Sequence, residues 1–387
     1  MNSRSFLIVI LFSLIGSSAL TQEAPAASPA LKTNVNWPTF GFIPAGGRYN
    51  SKETAISPAT ASSLTLLGKF NAGGNFASSS AVVSNVAYFG TMKDIFYSIS
   101  TTKQNWDYAV SAGIYSSPAV SGGVVYFGSM NTAFYALKVA TGDLVWEYAT
   151  GSNIFASPVI SDGIVYFGSD DSYFYALNAT TGALVWKYKT GDYIEGSASV
   201  AEGIVYFGSH DGNLYAINGK TGALVWSHSF GSGNIGLSQP AIVNGVVYFG
   251  IQDTQNLTGA MYALNAKTGV QTWSYQVGGY IECSPAVADG SVYFSSYDGN
   301  LYSINAATGT LNWKDNLGLE RSSPAVANGV VFMASGTTSK IYALNAATGK
   351  MLWSYHTRNN ILASPVVVNG RVFINSTDGY SYVFHLK

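Results

Sequence analysis

The chain has 387 residues, 47% hydrophobic and only 10% charged, with 42 glycines, 26 tyrosines and a formal net charge of −1. About 25% charged is ordinary for a globular domain; polarity here comes from Ser, Thr, Asn and Gly, and the absence of a Lys/Arg-rich run excludes a nucleic-acid footprint. The one cysteine, Cys283, excludes an internal disulfide, a Cys-x-x-Cys zinc site and a Cys-x-x-Cys-His haem attachment.

In chain order, Arg4, the apolar run 6–15 and the small residues Ser17, Ser18 and Ala19 read as a secretory signal peptide over 1–21, too short for a comfortable membrane span. An Ala/Pro-rich linker follows over 22–36. The mature chain is therefore expected to be secreted or periplasmic. No later stretch is long and apolar enough to cross a bilayer, and no cysteine follows the apolar core to carry a lipid.

From residue 37 to 387 the sequence repeats itself. Trp106, Trp146, Trp186, Trp226, Trp273, Trp313 and Trp353 are separated by 40, 40, 40, 47, 40 and 40 residues, with Trp37 outside the series. Residues 157–191 represent one unit: "SPVI", "IVYFGS", "YFYALN" and "ALVWKY", separated by Asp-Gly, Asp-Asp-Ser and Thr-Gly. Short β-branched and aromatic runs between turn residues are strands, and four strands per period of about 40 make a β-propeller blade. The second-strand motif occurs eight times, from "VAYFG" at 86 to "RVFIN" at 371.

The fold expected is therefore all-β: an eight-bladed propeller of four-stranded antiparallel blades. The last unit lacks a fourth strand. "TLLGKF" at 65–70 aligns with "ALVWKY" and should supply it, with Gly68 at the Trp position. In "ALNATTGALVW" (176–186) the Asn and Thr-Gly make a turn that needs left-handed conformations. Each Trp is expected to pack between blades with its N–H on a polar partner.

Other local signals are weighed by context. "GSGNIG" at 231–236 matches Gly-x-Gly-x-x-Gly but precedes a strand where a dinucleotide site needs a helix. The Asp-Gly pairs at 211, 298 and 378 are expected to be type I′ turns, with His210 part of one. Of the sequons at Asn178, Asn256 and Asn375, Asn256 in the insertion at 252–260 is the candidate glycan site.

The residue two before the Ser-Pro of each inner strand, or before its equivalent pair, forms a ring at one channel mouth: Ala77, Tyr115, Phe155, Glu195, Leu237, Glu282, Arg321 and Leu362. Charge at a constriction is costly unless paired or used. One reading is a structural Glu282–Arg321 pair with Glu195 solvated. The other is a ligand or metal site, with Tyr115 and Phe155 as apolar contacts.

The pattern Ala-x-Asn-x-x-Thr-Gly-x-x-x-Trp, together with "NWPTFGFIPAGGRYN" at 36–50, resembles the tryptophan-docking repeats of pyrroloquinoline-quinone (PQQ) dehydrogenases. The same repeats occur in compact non-catalytic propellers such as BamB. The resemblance implies an eight-bladed quinoprotein-like propeller. The dehydrogenases' vicinal Cys pair and long loops are absent here, and so is BamB's lipid-bearing Cys. The leading expectation is a monomeric scaffold that binds a protein or small ligand at its mouth-side loops, without cofactor or metal. The alternative is a minimal PQQ- and calcium-dependent alcohol dehydrogenase of the polyvinyl-alcohol type.

Overall fold

Short apolar runs between tight turns fold into antiparallel strands, four to a blade and eight blades to the ring. The computed structural model describes residues 35–231, 233–234 and 237–387, with backbone alone at 233–234. The signal peptide and most of the linker expected from the sequence, and part of the glycine-rich segment 231–236, lie outside the described residues. In the third blade, Val159–Ser161, Ile164–Gly168, Tyr173–Asn178 and Leu184–Lys189 are neighbours in that order from the axis outward. The one helical turn among the described residues is Ala61–Ser63, and no helix is long and apolar enough to cross a membrane.

The turns differ in detail from their sequence reading. Gly182 is left-handed, at φ 73°, but Asn178 is not. Asn178 instead ends its strand and uses its side-chain oxygen to accept the N–H groups of Thr180 and Thr181, an Asx turn. At the other Asp-Gly turns Gly212, Gly299 and Gly379 alone take positive φ, so these are not type I′ turns. The Asp211 carboxylate there accepts the Gly191 N–H at 2.8 Å and the Tyr215 hydroxyl at 2.7 Å.

Neighbouring blades meet through aromatic side chains. The indole N–H of Trp146 donates to the carbonyl of Ala179 in the next blade at 3.0 Å, and the Tyr126 hydroxyl donates to the same oxygen. Trp106, Trp186, Trp226, Trp273 and Trp313 each reach the next blade likewise. The Trp146 ring lies against Gly182, where an added Cβ would come within 2.7 Å of the ring. Phe134 stacks on Phe167 of the next blade with centroids 4.1 Å apart. Trp353 instead lies edge-on to Phe384, 5.0 Å away, where the ring closes.

Closure follows the expected register. Leu64–Asn71 pairs antiparallel with Tyr380–Leu386, Gly68 opposite Val383. Gly68 stands where other blades carry Trp, and Thr102 stands in the turn it faces. A Cβ on Gly68 would lie 2.4 Å from the Thr102 methyl. The small residue and the larger one have thus changed sides at the seam.

Residues 35–50 were expected only as a segment preceding the ring. They form a hoop across the inner strands at one end of the channel. The carbonyls of Trp37, Pro38, Pro44, Ala45, Gly47 and Arg48 accept N–H groups from Val82, Val120, Val200, Ile242, Val287 and Val326. Thr39 and Asn50 donate side-chain hydrogen bonds to Pro158 and Val367 in the two remaining blades. Arg48 is fully buried, at φ 41°. It donates to the carbonyls of Pro324, Phe40 and Pro365 at 2.8, 2.5 and 2.7 Å. Burial pulls its guanidinium down to about 9, which leaves it charged at neutral pH.

Overpacking a tight contact costs about 1–3 kcal/mol. Gly68→Ala should lose that much in urea unfolding, and most of it should return in the Thr102→Ser background, which removes the clashing methyl. Additive effects of the two changes would mean that the seam does not depend on this contact.

Candidate functional site

The eight ring positions come together as anticipated. All of them line one cavity of about 280 Å³ at the mouth opposite the hoop, above a floor made by Phe40. The cavity opens among the loops that join strands two and three and the links between blades. The hairpin 253–258 of the fifth blade belongs to the same end. Asn256 sits exposed at its tip, its amide on Asp253 at 2.8 Å. The sequon at Asn375, by contrast, is buried.

Beneath the rim runs a serine relay. The N–H of Ser79 donates to the Ser117 hydroxyl at 2.9 Å, Ser117 to Ser157 at 3.0 Å and Ser157 to Ser197 at 3.1 Å. On the other side Gln239 donates to Ser284 at 2.8 Å, Ser284 to Ser323 at 2.9 Å, Ser323 to Ser364 at 2.9 Å, and Ser364 back to Ser79 at 2.8 Å. The fifth blade has Gln239 in place of Ser, and its amide bridges back to Ala198 at 2.7 Å. Every serine of the relay is more than nine-tenths buried. Sequence reasoning used Ser-Pro only as a landmark. Its recurrence in the inner strands was the available signal.

The rim is chemically uneven. Tyr115 and Phe155 meet edge-to-face with centroids 5.1 Å apart, and Ala77, Leu237 and Leu362 add apolar surface. Glu282 accepts from Arg321 Nε at 2.7 Å and from the Tyr297 hydroxyl at 2.7 Å. The Glu282 side chain is the buried member, 11% exposed, whereas Arg321 is 50% exposed.

Glu195 is not simply solvated. His210 Nε2 lies 2.8 Å from its Oε2, so His210 belongs to the rim constellation and not only to a turn. Burial opposes a charged His210, but the Glu195 hydrogen bond and charge outweigh it and hold the imidazole above its usual range. Asp170, one blade back, is raised to about 6, by burial first and then by Glu195, with His210 pulling the other way. Its Oδ1 is buried without a hydrogen-bond partner among the described residues. Sequence reasoning missed Asp170, Tyr297 and the role of His210. Each occupies the same place in a loop between strands two and three, and that alignment was the signal.

Tests of the group a dehydrogenase would need go against it. PQQ is a tricarboxylate, and the cavity lining offers a single cation, Arg321. Arg48 lies behind Phe40, its guanidinium 4.6 Å from that ring's centroid. Among the described residues no three His, Cys, Asp or Glu side chains are grouped to hold a metal ion. The donor set does not fit PQQ with calcium.

Comparison with known proteins agrees with the architecture. The family described as outer membrane protein assembly factor BamB matches residues 65–254, 236–322 and 318–385. The structure of BamB from Moraxella catarrhalis is similar at 21% identity, covering 83% of this chain and 99% of that one, with a TM-score of 0.73. A europium-containing methanol dehydrogenase is 15% identical over 91% of this chain and 90% of that one, at TM-score 0.74. The quinohemoprotein alcohol dehydrogenase of Comamonas testosteroni is 15% identical over 93% and 82%, at TM-score 0.76. At these identities the likeness is one of fold. No curated protein matches the sequence.

Two outcomes are expected from the rim charges. A carboxyl with a raised pKa holds its proton more tightly in the fold, so stability falls as pH rises from about 4 to about 6. Asp170→Asn should therefore gain about 1 kcal/mol at about pH 7.5, discounted for partial exposure, and nothing at about pH 4. Urea unfolding at both pH values checks it, and an equal change at both would dissociate Asp170 from the effect. Arg321→Ala should cost about 1–3 kcal/mol by leaving the buried Glu282 carboxylate on Tyr297 alone. Glu282→Ala should cost less, because Arg321 keeps its water; the reverse order in thermal melts would refute this assignment.

Proposed function

The chain belongs to the outer membrane protein assembly factor BamB family, and from that membership we propose that it is a secreted or periplasmic binding scaffold without catalytic activity. Its working surface is the open channel mouth. One observation carries this reading: the hoop closes one end of the channel, and the other end gathers Tyr115, Phe155, Glu195, Glu282 and Arg321 around a cavity. Blade-to-blade contacts through the Trp-bearing strands are nearly uniform, and beyond the Glu282–Arg321 pair the varied rim residues are not needed to hold the ring. Aromatic and charged groups set around an open cavity on a rigid frame suit recognition. The family's assembly role supports a protein partner, bound by a single copy of this chain.

The alternative, a PQQ- and calcium-dependent alcohol dehydrogenase, draws support from the fold of its structural relatives. The rim chemistry weighs against it, because the cavity lining offers one cation for three carboxylates and, among the described residues, no three His, Cys, Asp or Glu side chains are grouped to hold a metal ion.

Photo-crosslinking in the native host tests the reading. A benzoylphenylalanine placed at Tyr115 should give a discrete crosslinked product from the exported fraction, and one placed at Lys138 on the opposite face should not. Glu195→Ala combined with Glu282→Ala should abolish the Tyr115 product while the fold persists. Products from Lys138 alone would move the working surface to the other face. Quinone-dependent dye reduction over an alcohol panel would establish the alternative.

A further inference from the structure

Below the rim, each relay serine accepts one backbone N–H through its oxygen. None of these hydroxyls donates to an acceptor among the described residues. A buried donor left without an acceptor costs about 1–3 kcal/mol. Ser79, Ser117, Ser157, Ser284, Ser323 and Ser364, 3–7% exposed, all line the cavity. The wall therefore offers converging O–H donors over an apolar floor, Phe40.

Two further features sit above that wall. Arg321 is held through Nε by Glu282 and Tyr297. Its two Nη atoms make no hydrogen bond among the described residues, so a guanidinium fork is pre-aimed and open. Such a fork recognises a carboxylate through paired hydrogen bonds. Toward the third and fourth blades, Asp170 and Glu195 face one histidine. With both carboxylates ionised and His210 protonated, this group still keeps one negative charge. Asp170 is not part of the cavity lining and its Oδ1 is buried, so it adds its charge beside Glu195 without touching a ligand. The Tyr115–Phe155 pair stands in the second and third blades, next to Glu195 around the ring.

We propose that the open mouth binds a free amino acid with an aromatic or large apolar side chain, its carboxylate on Arg321 and the channel hydroxyls and its ammonium on Glu195. The Tyr115–Phe155 pair takes the side chain. Either charge alone leaves one half of the site without a partner, which is the physical basis for preferring a zwitterion. The volume, about 280 Å³, suits a small molecule.

This proposal rests on the open mouth being the working surface, and its test separates the two. Calorimetry of the intact protein with L-phenylalanine, 3-phenylpropanoate and phenethylamine should show binding of phenylalanine and at least about tenfold weaker binding of each single-charge analogue. Arg321→Gln should weaken phenylalanine about tenfold and leave phenethylamine unchanged. Glu195→Gln should weaken phenylalanine and leave 3-phenylpropanoate unchanged. Phenylalanine silent up to about 10 mM, or matched in affinity by either analogue, overturns the proposal. Crosslinking from Tyr115 would survive that failure, whereas loss of the crosslink with phenylalanine binding intact would overturn the protein scaffold alone.

Discussion

Eight sheet edges face the axis of this ring, and the backbone N–H groups along them need acceptors. A buried amide left unpaired costs as much as a lost hydrogen bond. Only in the seventh blade does a short added strand, Tyr49–Asn50, pair with such an edge, parallel to Ala325–Ala327. The chain meets the requirement twice, with carbonyls of residues 37–48 at one end and serine hydroxyls toward the other. Both devices also tie each blade to something outside itself. The arrangement of the channel, closed below and hydroxyl-lined above, follows from that single need.

On the outer side the requirement is different. There the blades must be kept in step, and the indole of one blade reaches a carbonyl of the next while Tyr from the same blade shares that oxygen. Repetition makes this economical in sequence, because one local pattern serves every interface. The seam is the exception. It is made from residues far apart in the chain, and the Gly68–Thr102 exchange adapts the common pattern to a strand that arrives from the other terminus. With structure secured by the inner edges and outer strands, the open rim is left to vary, and its chemistry does vary from blade to blade.

The repeat, the blade count and the origin of the missing strand were legible because they rest on periodicity, which a sequence displays directly. The ring of rim positions was legible for the same reason: equivalent places in a repeat share a height in the fold. The hoop was not, since "NWPTFGFIPAGGRYN" occurs once and its bonds run to inner strands spread along the whole chain. Pairing at the rim was only half visible. Glu282 and Arg321 occupy the same repeat position in adjacent blades, so their contact could be inferred. Glu195 and His210 occupy different positions, and only the pitch of the loops brings them to 2.8 Å. The Asp-Gly turns misled because Asp211 spends its side chain on a tyrosine and an amide of the preceding link, a contact that turn statistics do not encode.

The hoop has a consequence for how the molecule is made. Val35 exchanges hydrogen bonds with the side chain of Asn369, 334 positions away. During synthesis residues 35–50 leave the ribosome ahead of every blade, yet their last acceptors and donors appear near the end of translation. Each blade can form hairpin by hairpin as it emerges, because its own contacts are local. The assembled disc cannot be locked until the eighth blade exists. Contacts of such long sequence separation slow folding, and the waiting intermediate carries open strand edges and an unanchored leading segment. A holdase that shields that leading segment would act on the stage at which this chain is most exposed to aggregation.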